Sequence, residues 1–139
     1  MAKITLKDLS HSYLEQQNNN SDWALRDVNI DWKDGGAYAL LGPSGCGKTT
    51  LLNIVSGLLK PTKGSVLFDD KDMTSLNPVE RDIAQIFQFP VIYDTMTVFD
   101  HLAFPLKNRK IEEDKIQAKV HEIAEMLELS STLSNRASG

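Results

Sequence analysis

The chain has 139 residues, the length of one ordinary domain, and its 41% hydrophobic and 24% charged residues are those of a soluble globular protein. A formal net charge of −4 with no basic run argues against nucleic acid as the main partner. The longest apolar stretches, residues 38–41 and 51–59, fall far short of the ~20 residues of a membrane-spanning helix. The start lacks the apolar core of a secretory signal, and Cys46, the only cysteine, permits no internal disulfide and fits a reducing cytosol.

Ile4 and Leu6 alternate with polar residues, which predicts a half-buried strand. The run Gln16-Gln17-Asn18-Asn19-Asn20-Ser21-Asp22 has nothing to pack and reads as an exposed loop. Across 24–32, Leu25, Val28, Ile30 and Trp32 alternate with one slip, so a second strand is expected to pair with the first. Asp34-Gly35-Gly36 is a turn. Residues 37–41 form a continuous apolar run, as in a strand buried on both faces. After a glycine-rich loop, Leu51, Leu52, Ile54, Val55 and Leu58 fall at helical spacing, and Gly57, Pro61 and Gly64 mark the stop.

Residues 65–68 are a further strand candidate, followed by the acidic turn Asp69-Asp70-Lys71-Asp72. Asn77 reads as the cap of a short helix with Pro78 at its first position. Residues 83–87 are strand-like, 89–97 irregular, and 98–104 a brief helix ended near Pro105. From 112 to 129, Ile116, Val120, Ile123 and Leu127 step by 4, 3 and 4, which predicts an amphipathic helix. The tail 130–139 is small and polar. The order predicts an α/β chain with a β-rich start, without an internal repeat or a second domain.

Gly42-Pro43-Ser44-Gly45-Cys46-Gly47-Lys48-Thr49 fits G-x-x-x-x-G-K-[ST] in full. A loop that wraps a phosphate needs backbone N–H groups turned inward, and Gly42, Gly45 and Gly47 allow the dihedrals and close approach this requires. The helix starting near Lys48 adds its unpaired donors and positive dipole end. Lys48 reaches the outer phosphates as a point charge, and the Thr49 hydroxyl suits magnesium, which prefers oxygen ligands. An apolar strand run before the loop and a helical pattern after it supply the context the motif needs.

About forty residues precede the loop, with two strand patterns among them, whereas in small kinases and GTPases it follows the first strand. With Ala39-Leu40-Leu41 ahead of the loop and Thr50-Leu51-Leu52 after it, the chain resembles the ATP-binding subunits of ABC transporters from residue 4 to about residue 136. Further segments of the resemblance are Gly57-Leu58 with Pro61-Thr62-Lys63-Gly64, Ile86-Phe87-Gln88-Phe89-Pro90, and Thr97-Val98-Phe99-Asp100-His101-Leu102-Ala103-Phe104-Pro105-Leu106. Within that family it is most similar to importers of sugars, glycerol and related polyols.

The resemblance implies a P-loop NTPase core of ABC ATPase type with an N-terminal antiparallel β subdomain. It makes ATP with Mg2+ the ligand, held by Tyr13, Gly42, Pro43, Ser44, Gly45, Cys46, Gly47, Lys48, Thr49 and Thr50. Lys48 and Gln88 take catalytic roles, and Thr49 and Gln88 ligate the metal. On its residue alone Tyr13 reads as a strand aromatic in the core; the resemblance makes it the ring that stacks on adenine. Gln88 alone reads as a solvated strand-end residue; the resemblance makes it the Q-loop glutamine, beside a groove for a transport partner. Implied partners are a second nucleotide-binding subunit, transmembrane permease subunits and, indirectly, a substrate-binding protein, with a place on the cytoplasmic face of the membrane.

The family's signature loop, its apolar strand ending in Asp-Glu and its switch histidine do not occur, and Ser138-Gly139 follows Arg136 too closely to begin that loop. The expectation is therefore that 1–139 is the N-terminal part of a nucleotide-binding domain, truncated before the signature loop and inactive in hydrolysis by itself. The alternative is a stand-alone nucleotide-binding module without catalysis. Asp69, Asp70 and Asp72 lack the glycine and glutamate of a calcium loop and read as a solvated turn. His11, His101 and His121 have no metal or triad spacing and read as packing residues. Cys46, beside a helix N-terminus, reads as an alkylation-sensitive thiol rather than a nucleophile.

Overall fold

The computed structural model describes residues 2–89 and 91–137, so Pro90 and the pair Ser138-Gly139 lie outside the described residues. The chain forms two compact units that divide after Gln85. The first holds β1 (Ile4–His11), β2 (Leu25–Trp32), α1 (Lys48–Ser56), β3 (Lys63–Phe68) and β4 (Lys71–Asp72); the second holds α2 (Val98–Asn108) and α3 (Glu113–Met126).

The four strands make one antiparallel sheet in the order β2-β1-β3-β4. Strict alternation would put Leu6 and Leu9 on opposite faces, yet both are fully buried in the same core. A bulge reconciles them. Leu6 pairs with Ile30 but Leu9 with Val28, and the extra residue on β1 includes Asp8 in a left-handed conformation at φ 47. The β3 side answers with Gly64 at φ 83, where a Cβ would lie 2.4 Å from the carbonyl oxygens of both Lys7 and Asp8. The slip read between Leu25 and Val28 is a second bulge, at Asp27, also at φ 47.

The core joins sheet to helix: Leu6, Leu9, Leu25, Val66 and Phe68 pack with Leu51, Ile54 and Val55 of α1. α1 ends at Gly57, whose φ of 84 is the left-handed stop that glycine supplies. The acidic turn is a hairpin connection. Asp69 and Asp70, both at positive φ, join β3 to β4 as a two-residue turn with Phe68 paired to Lys71. Asp69 Oδ1 accepts from Lys3 N at 2.8 Å. The Asn77 cap forms as read: Asn77 Oδ1 accepts from Glu80 N and Glu80 Oε2 from Asn77 N, each at 3.0 Å, although the segment is a turn rather than a helix.

Two expected strands do not form. Residues 37–41 and 83–87 carry no strand pairing, and Leu41 and Ile86 are 89% and 98% exposed. A strand buried on both faces needs neighbours on both edges to take up its backbone groups. Among the described residues neither run has one. Tyr38 and Leu40 instead pack locally: the Tyr38 ring lies 6.0 Å from that of Trp32, its hydroxyl accepts from Lys33 N at 2.8 Å, and Leu40 lies against the core.

In the second unit α2 opens on a capping box. Thr97 Oγ1 accepts from Asp100 N at 3.1 Å while Asp100 Oδ2 accepts from Thr97 N at 3.2 Å. The helix does not stop near Pro105 but runs through it to Asn108. Proline removes one donor, to the carbonyl of His101. Burial of Ala103 with Ile116 and Val120, flanked by Leu102 and Leu106, outweighs that loss. The buried seam of α3 is Ile116, Val120 and Ala124, stepping by four throughout, so Leu127 falls on the exposed side at the cap. Residues 133–136 fold back on the start of α2 through Val98 N to Asn135 O and Phe99 N to Leu133 O, each 2.9 Å.

Candidate functional site

The glycine loop is presented by the first unit, between the end of the 37–41 run and α1. Gly47 is the N-cap of α1 at φ 91, and a Cβ there would meet Ala24 O at 2.5 Å and Leu25 Cδ2 at 2.9 Å. A side chain at 47 is thus excluded by both conformation and space, and the loop's end sits hard against the start of β2. The first helical bond is Leu51 N to Gly47 O at 2.9 Å. The N–H groups of Lys48, Thr49 and Thr50 therefore have no acceptor within the helix.

The Lys48 ammonium is wrapped by its own loop. It donates to Gly42 O at 2.8 Å and Pro43 O at 2.6 Å and lies 3.5 Å from Cys46 Sγ. A positive charge held by the loop and a row of first-turn N–H groups belong to the same short segment, which is the chemistry of an anion cradle. Ser44, Gly45, Cys46 and Thr49 are exposed around it, while Thr50 is buried. Thr49 presents a single hydroxyl oxygen there, which fits a magnesium ion that keeps most of its shell as water and phosphate oxygen.

Tyr13, 37 positions before Thr50, is brought to the same place: its hydroxyl lies 3.0 Å from Thr50 Oγ1. It is not a core aromatic. It follows the end of β1, is 66% exposed, and stands edge-on to the His11 ring at 4.7 Å and 87°. Gln88 is exposed and belongs to the second unit, not to the unit that carries the loop. Around it Phe87, Phe89, Val91, Ile92 and Tyr93 are exposed apolar side chains. Tyr93 N donates to His101 Nε2 at 3.0 Å, which leaves the ring proton on Nδ1, 2.8 Å from Thr97 O.

One supporting residue was not legible in the sequence. Arg81, only 4% exposed, donates to Ile54 O and Val55 O at 2.8 Å, Leu76 O at 2.9 Å and Thr74 O at 3.2 Å. It satisfies carbonyls in the last turn of α1, at the end opposite the phosphate loop. Burial lowers its pKa from the ordinary arginine value, and the Asp72 charge opposes that shift. Its acceptors are all backbone oxygens, so no pattern of side chains announces it.

A family model described as "ABC transporter" matches residues 25–139. The chain is 39% identical over 136 residues to the sn-glycerol-3-phosphate import ATP-binding protein UgpC of Bordetella avium, covering 98% of this chain and 36% of that protein. It is 42% identical over 119 residues to the trehalose/maltose import ATP-binding protein MalK of Thermococcus litoralis, covering 81% of this chain and 32% of that protein. The chain thus spans about a third of the length of these relatives. Among solved structures it is similar to MJ1267, an ATP-binding cassette of an ABC transporter, with a TM-score of 0.79 at 28% identity over 99% of this chain and 58% of that one. It is equally similar to the dimeric cassette MJ0796 bound to ADP and Pi, with a TM-score of 0.79 at 28% identity over 97% of this chain and 62% of that one. With a match of this extent to the family model, and with the fold of its ATP-binding cassettes, the chain belongs to the ABC transporter family.

Proposed function

We propose that this chain binds ATP with magnesium at its glycine loop, as part of an ATPase subunit that energises an importer of sugars, glycerol or related polyols. The observation that carries the reading is the Lys48 ammonium held inside a loop whose closing residue, Gly47, tolerates no side chain. On ATP binding, Lys48 exchanges the carbonyls of Gly42 and Pro43 for β- and γ-phosphate oxygens. The backbone N–H groups from Gly45 to Thr50 receive the rest of the phosphate charge, and the side chains of Pro43, Ser44 and Cys46 border the cradle. Tyr13 stacks on the adenine. Thr49 is the residue of the loop that would hold magnesium, which when bound neutralises phosphate charge; Gln88 would add a carbonyl oxygen and orient the attacking water.

The names of the UgpC and MalK relatives support the importer reading and its cargo class, and the ADP and Pi of the dimeric MJ0796 cassette support an adenine nucleotide and a paired subunit. The exposed apolar residues around Gln88 suit a permease subunit and so support a position on the cytoplasmic face of a membrane, with a substrate-binding protein as an indirect partner. Among the described residues no helix is long and apolar enough to cross a membrane.

Calorimetry tests the site. Lys48→Ala should abolish Mg-ATP binding without lowering the melting temperature, because Lys48 bonds only to its own loop. Unchanged affinity in that variant sinks the assignment. The 139 residues alone should release no phosphate at steady state; turnover that disappears in Lys48→Ala would refute that part of the reading.

A further inference from the structure

The Tyr13 hydroxyl makes a contact that stacking on a base does not require. It lies 3.0 Å from the Oγ1 of Thr50, the third residue of the helix that starts in the phosphate loop. Thr50 is buried in the first turn of α1. The other side of the brace is His11, buried at the end of β1, whose ring meets the Tyr13 ring edge-on at 4.7 Å. His11 O accepts from Ala24 N at 2.9 Å, and Ser12 N donates to Thr62 Oγ1 at 3.1 Å, so the backbone under Tyr13 is tied down on both sides. An exposed tyrosine ordinarily samples several rotamers; this one has two independent contacts, Thr50 on its hydroxyl and His11 on its ring, that favour one orientation.

We infer that Thr50 is a positioning residue that holds Tyr13 through its hydroxyl, so that the base platform is set from the phosphate loop before any nucleotide arrives. The inference rests on the nucleotide site proposed above. Immobilising a side chain costs free energy, and a platform already immobilised spares the incoming nucleotide that cost. The tether should therefore matter for ligands that carry a base and not for ligands that carry phosphates alone.

The test compares Mg-ATP with Mg-tripolyphosphate, which has no base, by calorimetry on the full chain. Tyr13→Phe keeps the ring and loses the tether, and should weaken Mg-ATP roughly three- to tenfold while leaving Mg-tripolyphosphate unchanged. Tyr13→Ala removes the platform too and should weaken Mg-ATP by roughly tenfold or more. Thr50→Ser keeps a hydroxyl and should preserve the sensitivity to Tyr13→Phe. In a Thr50→Val background, Tyr13→Phe should have no further effect. If the unsubstituted chain binds neither ligand, the nucleotide site itself is wrong and the inference falls with it. If it binds Mg-ATP and Tyr13→Phe binds it equally well, or loses both ligands equally, the tether alone is overturned.

Discussion

The chain contains two kinds of apolar segment, and they behave in opposite ways. The strands β1 and β3 are interrupted by polar residues and a bulge, yet they form and bury Leu6, Leu9, Val66 and Phe68. The runs 37–41 and 83–87 are at least as apolar, yet they form no strand and leave Leu41 and Ile86 exposed. The difference lies in the partners. β1 has a strand on each edge, β2 and β3, and β3 pairs with it although β2 and α1 lie between them in the chain. The two runs, by contrast, have no pairing partner among the described residues. Hydrophobicity selects what is willing to be buried, and hydrogen-bonded pairing decides whether it becomes a strand. The phosphate loop bridges the two kinds. Its incoming side leaves an unpaired run, and its outgoing side is secured by Gly47 on β2 and by the core face of α1.

The contrast breaks most visibly under core truncation. Ile54→Ala should destabilise the chain by about 2–5 kcal/mol in urea melts, while Leu41→Ala and Ile86→Ala should each stay within about 0.5 kcal/mol. Equal losses at 54 and 41 would mean that the run is packed after all. Next comes Arg81→Met, which leaves buried carbonyls of α1 without their donor and should cost about 2–3 kcal/mol. A neutral result would show that Gly57 and water satisfy that helix end alone. Gly64→Ala sharpens the account of the bulge. With φ at 83 and two backbone oxygens 2.4 Å from the new Cβ, the strands must shift, at about 2 kcal/mol or more. A stability equal to the parent's would remove the Asp8 bulge from the argument.

The smallest effect is a pH dependence shared by both units. Hydrogen bonds from Thr74, side chain first and then backbone, hold the Asp72 carboxyl below its ordinary 3.8, and those from Thr97 do the same for Asp100. A depressed carboxylate contributes stability that is full above the unfolded value near 3.8 and is lost as pH falls through the lower folded value. Asp72 is exposed and Asp100 no more than half-buried, so the slope should be slight, appear only below about pH 4, and shrink in Thr74→Ala and Thr97→Ala. Melting curves at pH 5 and pH 3 decide it; an undiminished slope in both variants assigns the acid loss elsewhere.

Much of the local structure was legible in the residues. The G-x-x-x-x-G-K-T run marked the loop, the slip between Leu25 and Val28 marked the Asp27 bulge, and Asn77 marked its cap. Each of these is encoded within a few neighbouring positions, by backbone freedom, period or a short side chain that reaches its own main chain. The expectations that failed involve distant partners. Pro105 sits inside α2 because α3 packs against that helix, and the buried seam of α3 ends on Ala124 while Leu127 lies exposed at the cap.

The same division runs through the site. The sequence by itself determined the glycine loop: three glycines, a lysine and a threonine at fixed spacing, followed by a helix whose N-terminus carries unpaired donors by the geometry of any helix. Only the tertiary structure decided that Tyr13 stands against the first turn of α1 with its hydroxyl on Thr50, and that Arg81 closes the far end of α1. Those contacts span dozens of residues, and several run to backbone oxygens that every residue possesses. Linear spacing carries no trace of them, because packing of the whole unit brings these distant positions together.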